Sequence, residues 1–244
     1  MLKRRSFLRN TSLGLAAAPL LSFPQIEASL PKKMTVLFQG NSITDAGRSR
    51  ASYYPNSGSG MGSGYVQHAA THLMGEHPEV EWKIYNRGIS GHKVFQLANR
   101  WEDDALQLQP DVLSILIGVN DFWHTLSHSY QGTVETYEKD FIQLLERTKK
   151  ALPNIKFLIG EPFVCEDGTA IATEQWNAKF PAYRTAAKKV AQQFDAVFIP
   201  YQKVFDEARK VAPTSYWCPD GVHPSMAGNY LMAKAWLEGF GDLF

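Results

Sequence analysis

Three residues of this chain have the types and spacing to build an activated nucleophile. Ser42 lies in Gly40-Asn41-Ser42-Ile43-Thr44, directly after the apolar run Val36-Leu37-Phe38. Asp220 and His223 stand three apart in Asp220-Gly221-Val222-His223, near the C-terminus. A serine hydroxyl is a weak nucleophile until a base takes its proton and a third group orients that base. His223 is the best base among the seven histidines. Gly221 allows a tight turn, Asp220 can accept from Nδ1, and Nε2 is left to face Ser42. Taken alone, Asp-x-x-His is a weak signal, since the same residues could cap the final helix and line a surface. The Ser block makes the combination stronger. No Gly-x-Ser-x-Gly elbow occurs in the chain, so this nucleophile would sit on a different turn.

Acyl transfer also needs donors for the oxyanion that develops on the carbonyl. The Ser42 N–H is one. Asn86-Arg87-Gly88-Ile89-Ser90-Gly91 follows the second apolar run, and Gly118-Val119-Asn120-Asp121 follows the third. The Asn120 side-chain amide is a good fixed donor. The Gly91 N–H can approach a substrate closely because no side chain intervenes. Standing alone, Gly118 to Asp121 would be read as a plain turn.

The elements that must position these residues alternate. The apolar runs are Thr35–Phe38, Val80–Tyr85, Val112–Ile117, Ile155–Ile159 and Ala196–Ile199, each short and apolar like a buried parallel strand. Helical patterns cover Tyr65–Gly75, Val94–Leu108, Val134–Ala151, Thr173–Phe194, Gln202–Val211 and Met226–Phe240. Strand and helix in alternation predict a three-layer α/β/α sandwich, flavodoxin-like, around a five-stranded parallel sheet. Such sheets place their sites at the carboxyl ends of the strands. Ser57 to Gly64 reads as a flexible loop near the first helix.

The 244 residues are 44% hydrophobic and 20% charged, enough for one domain with a sizeable core. Lys3, Arg4, Arg5 and Arg9 precede the apolar run Leu13 to Phe23, which is too short to span a bilayer. This is the pattern of a twin-arginine signal over residues 1–28, cut after Ala28, with a single domain over 29–244. It predicts an exported protein, periplasmic or extracellular, without a stable membrane anchor. From Ser29 onward 21 basic residues meet 23 acidic ones, a net of −2. That balance argues against nucleic acid as a partner. The two cysteines, Cys165 and Cys218, could form a disulfide after export or remain two buried thiols.

The four segments, in this order and at these separations, resemble the four blocks of the SGNH (GDSL-type) hydrolases. The likeness runs from about Val36 to Phe240. Asp45-Ala46-Gly47-Arg48, Gly64-Tyr65-Val66, Arg100-Trp101-Glu102-Asp103-Asp104 and His223-Pro224-Ser225-Met226-Ala227-Gly228 are similar to a subgroup that includes bacterial acetylxylan esterases. The resemblance implies Ser42 as nucleophile, His223 as base, Asp220 as its orienter, and Ser42, Gly91 and Asn120 as the oxyanion hole. One departure stands out: the family's first block usually has Asp before the Ser, and here it is Asn41.

The expected substrate follows from the surroundings. Trp123 and Trp217 should lie near the pocket mouth, where indole faces suit sugar rings. Each could equally pack its own loop. Arg48 and Arg100 could orient substrate or bridge to Glu102, Asp103 or Asp104. No long apolar insertion offers a lid for an acyl chain, so a small acyl group such as acetyl on an oligo- or polysaccharide is expected. No metal or organic cofactor is required, and His124 and His128, four apart without a Glu between them, do not read as a zinc site. The alternatives are a lysophospholipase or thioesterase on the same scaffold, a non-catalytic sugar-binding module, and a flavodoxin-like nucleotide binder. The module has no need of all five site residues. The nucleotide binder lacks phosphate-cradling glycines in its first loop. A homo-oligomer is compatible with the sequence, which does not specify one.

Overall fold

The computed structural model describes residue 26 and residues 29–244. The signal-peptide reading of residues 1–28 lies outside them except for Ile26, which is buried in the hydrophobic cluster. The strands are β1 (Lys33–Gly40), β2 (Glu81–Asn86), β3 (Val112–Leu116), β4 (Lys156–Gly160) and β5 (Val197–Ile199). All pairs are parallel, in the order β2-β1-β3-β4-β5. This is the expected sandwich. β3 is buried along its whole length, which is why it reads as an unbroken apolar run rather than an alternation.

The helices are α1 (Ser42–Asp45), α2 (Gly58–Met61), α3 (Tyr65–Glu76), α4 (Val94–Ala98), α5 (Trp101–Asp104), α6 (Val119–Ser127), α7 (Val134–Ala151), α8 (Thr173–Gln193), α9 (Tyr201–Arg209), α10 (Thr214–Trp217) and α11 (Met226–Gly241). α7 shows how the longer ones arise. Thr133 caps it by accepting the Thr136 N–H, Lys149 and Lys150 complement its last turn, and it buries Tyr137, Phe141, Leu144, Leu145 and Thr148 on one stripe. α3 and α11 cover one face of the sheet, where Phe38 packs on Tyr65 and Trp236. On the other face Trp101 is buried and donates its indole N–H to Thr148 of α7.

Three local expectations are corrected. Val94–Leu108 is not one helix but α4, α5 and a single 3-10 turn over Leu106–Leu108. The break at Arg100 buries Trp101 against α7 and frees the Asp104 carbonyl to accept from Gln39 of β1. Gly118 to Asp121 is not a plain turn: Gly118, at φ 125°, starts the nine-residue α6. Its Asn, Asp, Thr and Ser content favours turns in isolation, and Phe122 packing on Trp176, Phe180 and Tyr183 holds it helical. The Ser57 to Gly64 segment contains α2, capped by Ser57, with Met61 buried.

Candidate active site

β1 lies between β2 and β3, so the chain leaves β1 to one side and returns on the other. The crevice at such a reversal is where open parallel sheets bind ligands. Register sets the neighbours: Gly40 pairs with Leu116, and Phe38 with Asn86. The segments after β1, β2 and β3 therefore converge.

Ser42 is the first residue of α1. Asn41 caps that turn, its side-chain oxygen accepting the Ile43 N–H at 3.1 Å. The Asn that replaces the expected Asp thus serves as a cap, as an Asp would, and its Nδ2 is buried with no hydrogen-bond partner among the described residues. Ser42 Oγ is 2.7 Å from His223 Nε2, and His223 Nδ1 is 2.6 Å from Asp220 Oδ2. A carboxylate only accepts, so Nδ1 carries the proton and Nε2 accepts from the serine hydroxyl. Asp220 Oδ1 also accepts the N–H groups of Val222 and His223, at 2.8 and 2.7 Å. Burial pushes the Asp220 carboxyl up, but the bonds from the His223 ring, the His223 N–H and the Val222 N–H outweigh it and hold the pKa at about 2. The Asp220 side chain facing the His223 ring is thus a carboxylate well below neutral pH.

The loop bearing Asp220 and His223 is held by its backbone. Gly221 adopts φ 90°, and a Cβ there would meet Ile171 at 2.3 Å and the Cys165 carbonyl at 2.7 Å. The Cys165 N–H donates to Gly221, and the Gly221 N–H to Cys218. Both cysteines are free and buried. The Cys165 thiol shares a hydrogen bond with that of Cys218 and, with burial, pushes the Cys218 thiol up. Asp220 does not cap the last helix; Ser225 does, accepting the Gly228 N–H.

The expected oxyanion donors are tied to α1. Asn86, ending β2, donates to the carbonyls of Thr44 and Met61, and the Ile89 N–H donates to Gly40. Asp45 accepts both the N–H and the hydroxyl of Ser90 at 2.8 Å, one residue before Gly91 at φ 83°. Asn120, almost fully buried, donates to the His92 carbonyl at 3.2 Å, which sets its amide beside Gly91. The Asp45–Ser90 link was not legible in the sequence. Asp45 stands three residues from Ser42, but its partner is 45 residues away.

Asp121 joins the second and third segments. Its Oδ1 accepts the Val94 N–H at 3.1 Å and its Oδ2 is buried with no partner among the described residues. Burial raises the carboxyl to about 7, against the pull of the Val94 N–H and the Lys93 charge. From its ordinary range up to that value, the folded chain holds a proton that the unfolded chain has released, so this group makes stability fall as pH rises. Asp121→Asn keeps the acceptor and cannot ionise. Relative to the variant, the wild type should lose stability in urea unfolding between about pH 4 and about pH 7, with the difference constant above that. A constant difference over that range would remove Asp121 as the cause.

The remaining expected residues divide. The Trp123 ring lies 6.3 Å from that of His223, beside the Ser–His pair, and also meets Trp176 edge-on. Trp217 donates to the Ala212 carbonyl and packs on Tyr216. Arg48 is buried and donates to the Gly88 carbonyl, behind the loop that carries Gly91. Arg100 bridges to Asp104 at 2.7 Å.

A model of the GDSL-like lipase/acylhydrolase family matches residues 38–231. An acetylxylan esterase of Geobacillus stearothermophilus is 32% identical over 210 residues, covering 84% of this chain and 93% of the relative. The solved structure of an acetylxylan esterase from that organism superposes with a TM-score of 0.75 at 30% identity, over 85% of this chain and 94% of the other. A candidate GDSL-like lipase from Parabacteroides merdae superposes with a TM-score of 0.86 at 52% identity, over 89% and 99%.

Proposed function

Because the chain belongs to the GDSL-like lipase/acylhydrolase family, we propose that it is a serine esterase that removes acetyl groups from carbohydrate. The observation that carries the reading is the unbroken run of hydrogen bonds from Ser42 through His223 to Asp220. Ser42 Oγ attacks the ester carbonyl while His223 Nε2 takes its proton. The oxyanion is received by the N–H groups of Ser42 and Gly91 and the Asn120 amide. Collapse expels the sugar hydroxyl, protonated by His223, and leaves acetyl-Ser42. Water, deprotonated by the same histidine, then releases acetate.

Two features favour a sugar over a lipid. The half-buried Trp123 presents an aromatic ring beside His223, the group proposed to protonate the leaving sugar hydroxyl. The acetylxylan esterase relative aligns along nearly its whole length. Among the described residues no helix is long and apolar enough to cross a membrane. With residues 1–28 read as a twin-arginine signal, the enzyme would work outside the cytoplasm on acylated oligo- or polysaccharides. The test is acetate release from acetylated xylo-oligosaccharides, with lysophosphatidylcholine as the rival substrate. Acetate release without lipid cleavage is expected. Lipid cleavage without acetate release would keep the serine chemistry and overturn the substrate.

A further inference from the structure

α6 begins at the oxyanion amide and runs outward. Residues three, four and eight positions after Asn120 share its face of the helix. They are Trp123, His124 and His128, and they pass from buried Asn120 through half-buried Trp123 and His124 to exposed His128. The stripe is in contact with the site: Trp123 meets His223, and a Cβ built on Gly91 would lie 3.9 Å from His124 Cε1. The His124 and His128 rings lie 4.3 Å apart.

His124 is held by an unusual partner. Lys93 is buried, and its Nζ lies 3.0 Å from His124 Nδ1. A buried ammonium is costly, and here it lies over the rings of Phe95 and Tyr130, at 5.6 and 5.0 Å. Burial lowers the Lys93 pKa, and the Asp121 charge opposes that. An ammonium only donates, so Nδ1 of His124 must accept, and the ring's proton sits on Nε2. Burial, Lys93 and His128 lower the His124 pKa to about 4, which keeps the ring neutral. The result is an N–H donor of fixed tautomer beside the Gly91 loop. The Ser–His–Asp chemistry itself does not use it.

We propose that His124 is a specificity-determining residue that donates from Nε2 to an oxygen of the sugar carrying the acetyl group, and that Lys93 is its positioning residue. The assignment rests on the carbohydrate-esterase reading. Trp123 supplies the apolar contact to the ring and His124 the polar one. This is the usual division in a sugar subsite, where a few fixed polar groups set orientation within an otherwise apolar wall.

The experiment compares kcat/KM on acetylated xylo-oligosaccharides with kcat/KM on para-nitrophenyl acetate, which has no sugar hydroxyls. His124→Leu should lower the ratio of the two about tenfold, mainly through KM for the sugar ester, as the loss of one hydrogen bond implies. Lys93→Met should shift the ratio the same way by less. His124→Gln, which keeps an N–H donor, should recover most of it. Melting curves on each variant separate loss of fold from loss of contact. An unchanged ratio in His124→Leu, or an equal loss on both substrates, overturns the assignment while leaving the esterase reading intact. Absence of acetate release by the wild type overturns the carbohydrate reading itself, and this assignment with it.

Discussion

Ser42→Ala should lower kcat on an acetyl ester by a factor on the order of 10⁴ to 10⁶ while leaving the melting temperature within about 2 °C of the wild type. The two halves of that expectation come from different parts of the structure. Among the described residues the hydroxyl makes one hydrogen bond, to His223, at a half-exposed position. The turn that presents it is held by Asn41, which caps through Ile43, and by the Asp45 N–H donating to the Asn41 carbonyl. Neither contact uses the Ser42 side chain. Chemically, nothing replaces the hydroxyl: Thr44, the next hydroxyl along, is fully buried and bonded to Tyr65. Steady-state rates with a melting curve on the same preparation decide the matter. Retention of more than a few per cent of activity would remove Ser42 as nucleophile.

Asp220→Asn should cost about 10⁴ in kcat with little change in KM. Asn preserves the size of the side chain and one oxygen to accept from Val222 and His223, so the loop keeps its support. It loses the carboxylate oxygen that faces His223 Nδ1 at 2.6 Å. An amide NH₂ at that place donates, which drives the ring proton to Nε2 and leaves no lone pair for the Ser42 hydroxyl. The charge that stabilises the imidazolium during attack disappears as well. The measurement is kcat and KM separately, with the variant's unfolding monitored alongside. A loss confined to KM, or one below about tenfold, would make Asp220 a loop support rather than the orienter of the base.

The sheet was legible because parallel strands buried on both faces leave short apolar runs, and all five appear within a few residues of their places. That Ser42, His223 and Asp220 meet was legible for a different reason. The chemistry proposed for them needs particular residue types, and the turns that present them need Gly and Asn at fixed offsets. What escaped depends on contacts across the fold. α6 looks like a turn until Phe122 is seen among Trp176, Phe180 and Tyr183. The 94 to 108 stretch has helical periodicity, but burying Trp101 against Thr148 breaks it. Lys93 and His124 are 31 residues apart, and neither has a local pattern that marks it. His124 could be noticed four residues from His128, but that spacing raised a metal question rather than a sugar one.

The bond from Ser42 to His223 joins residues 181 positions apart. The strand that leads to Ser42 comes first in the chain, and the histidine comes after all five strands. A second link of the same reach, from the Tyr65 N–H to Asn229 of the last helix, holds the two ends of the fold together. A chain emerging from the ribosome therefore carries the proposed nucleophile long before the proposed base. Until the last thirty or so residues dock, Ser42 is an ordinary alcohol in a partly built sheet. Hydrolytic power is in this sense the final product of folding, and recovered activity reports a finished molecule rather than a formed sheet.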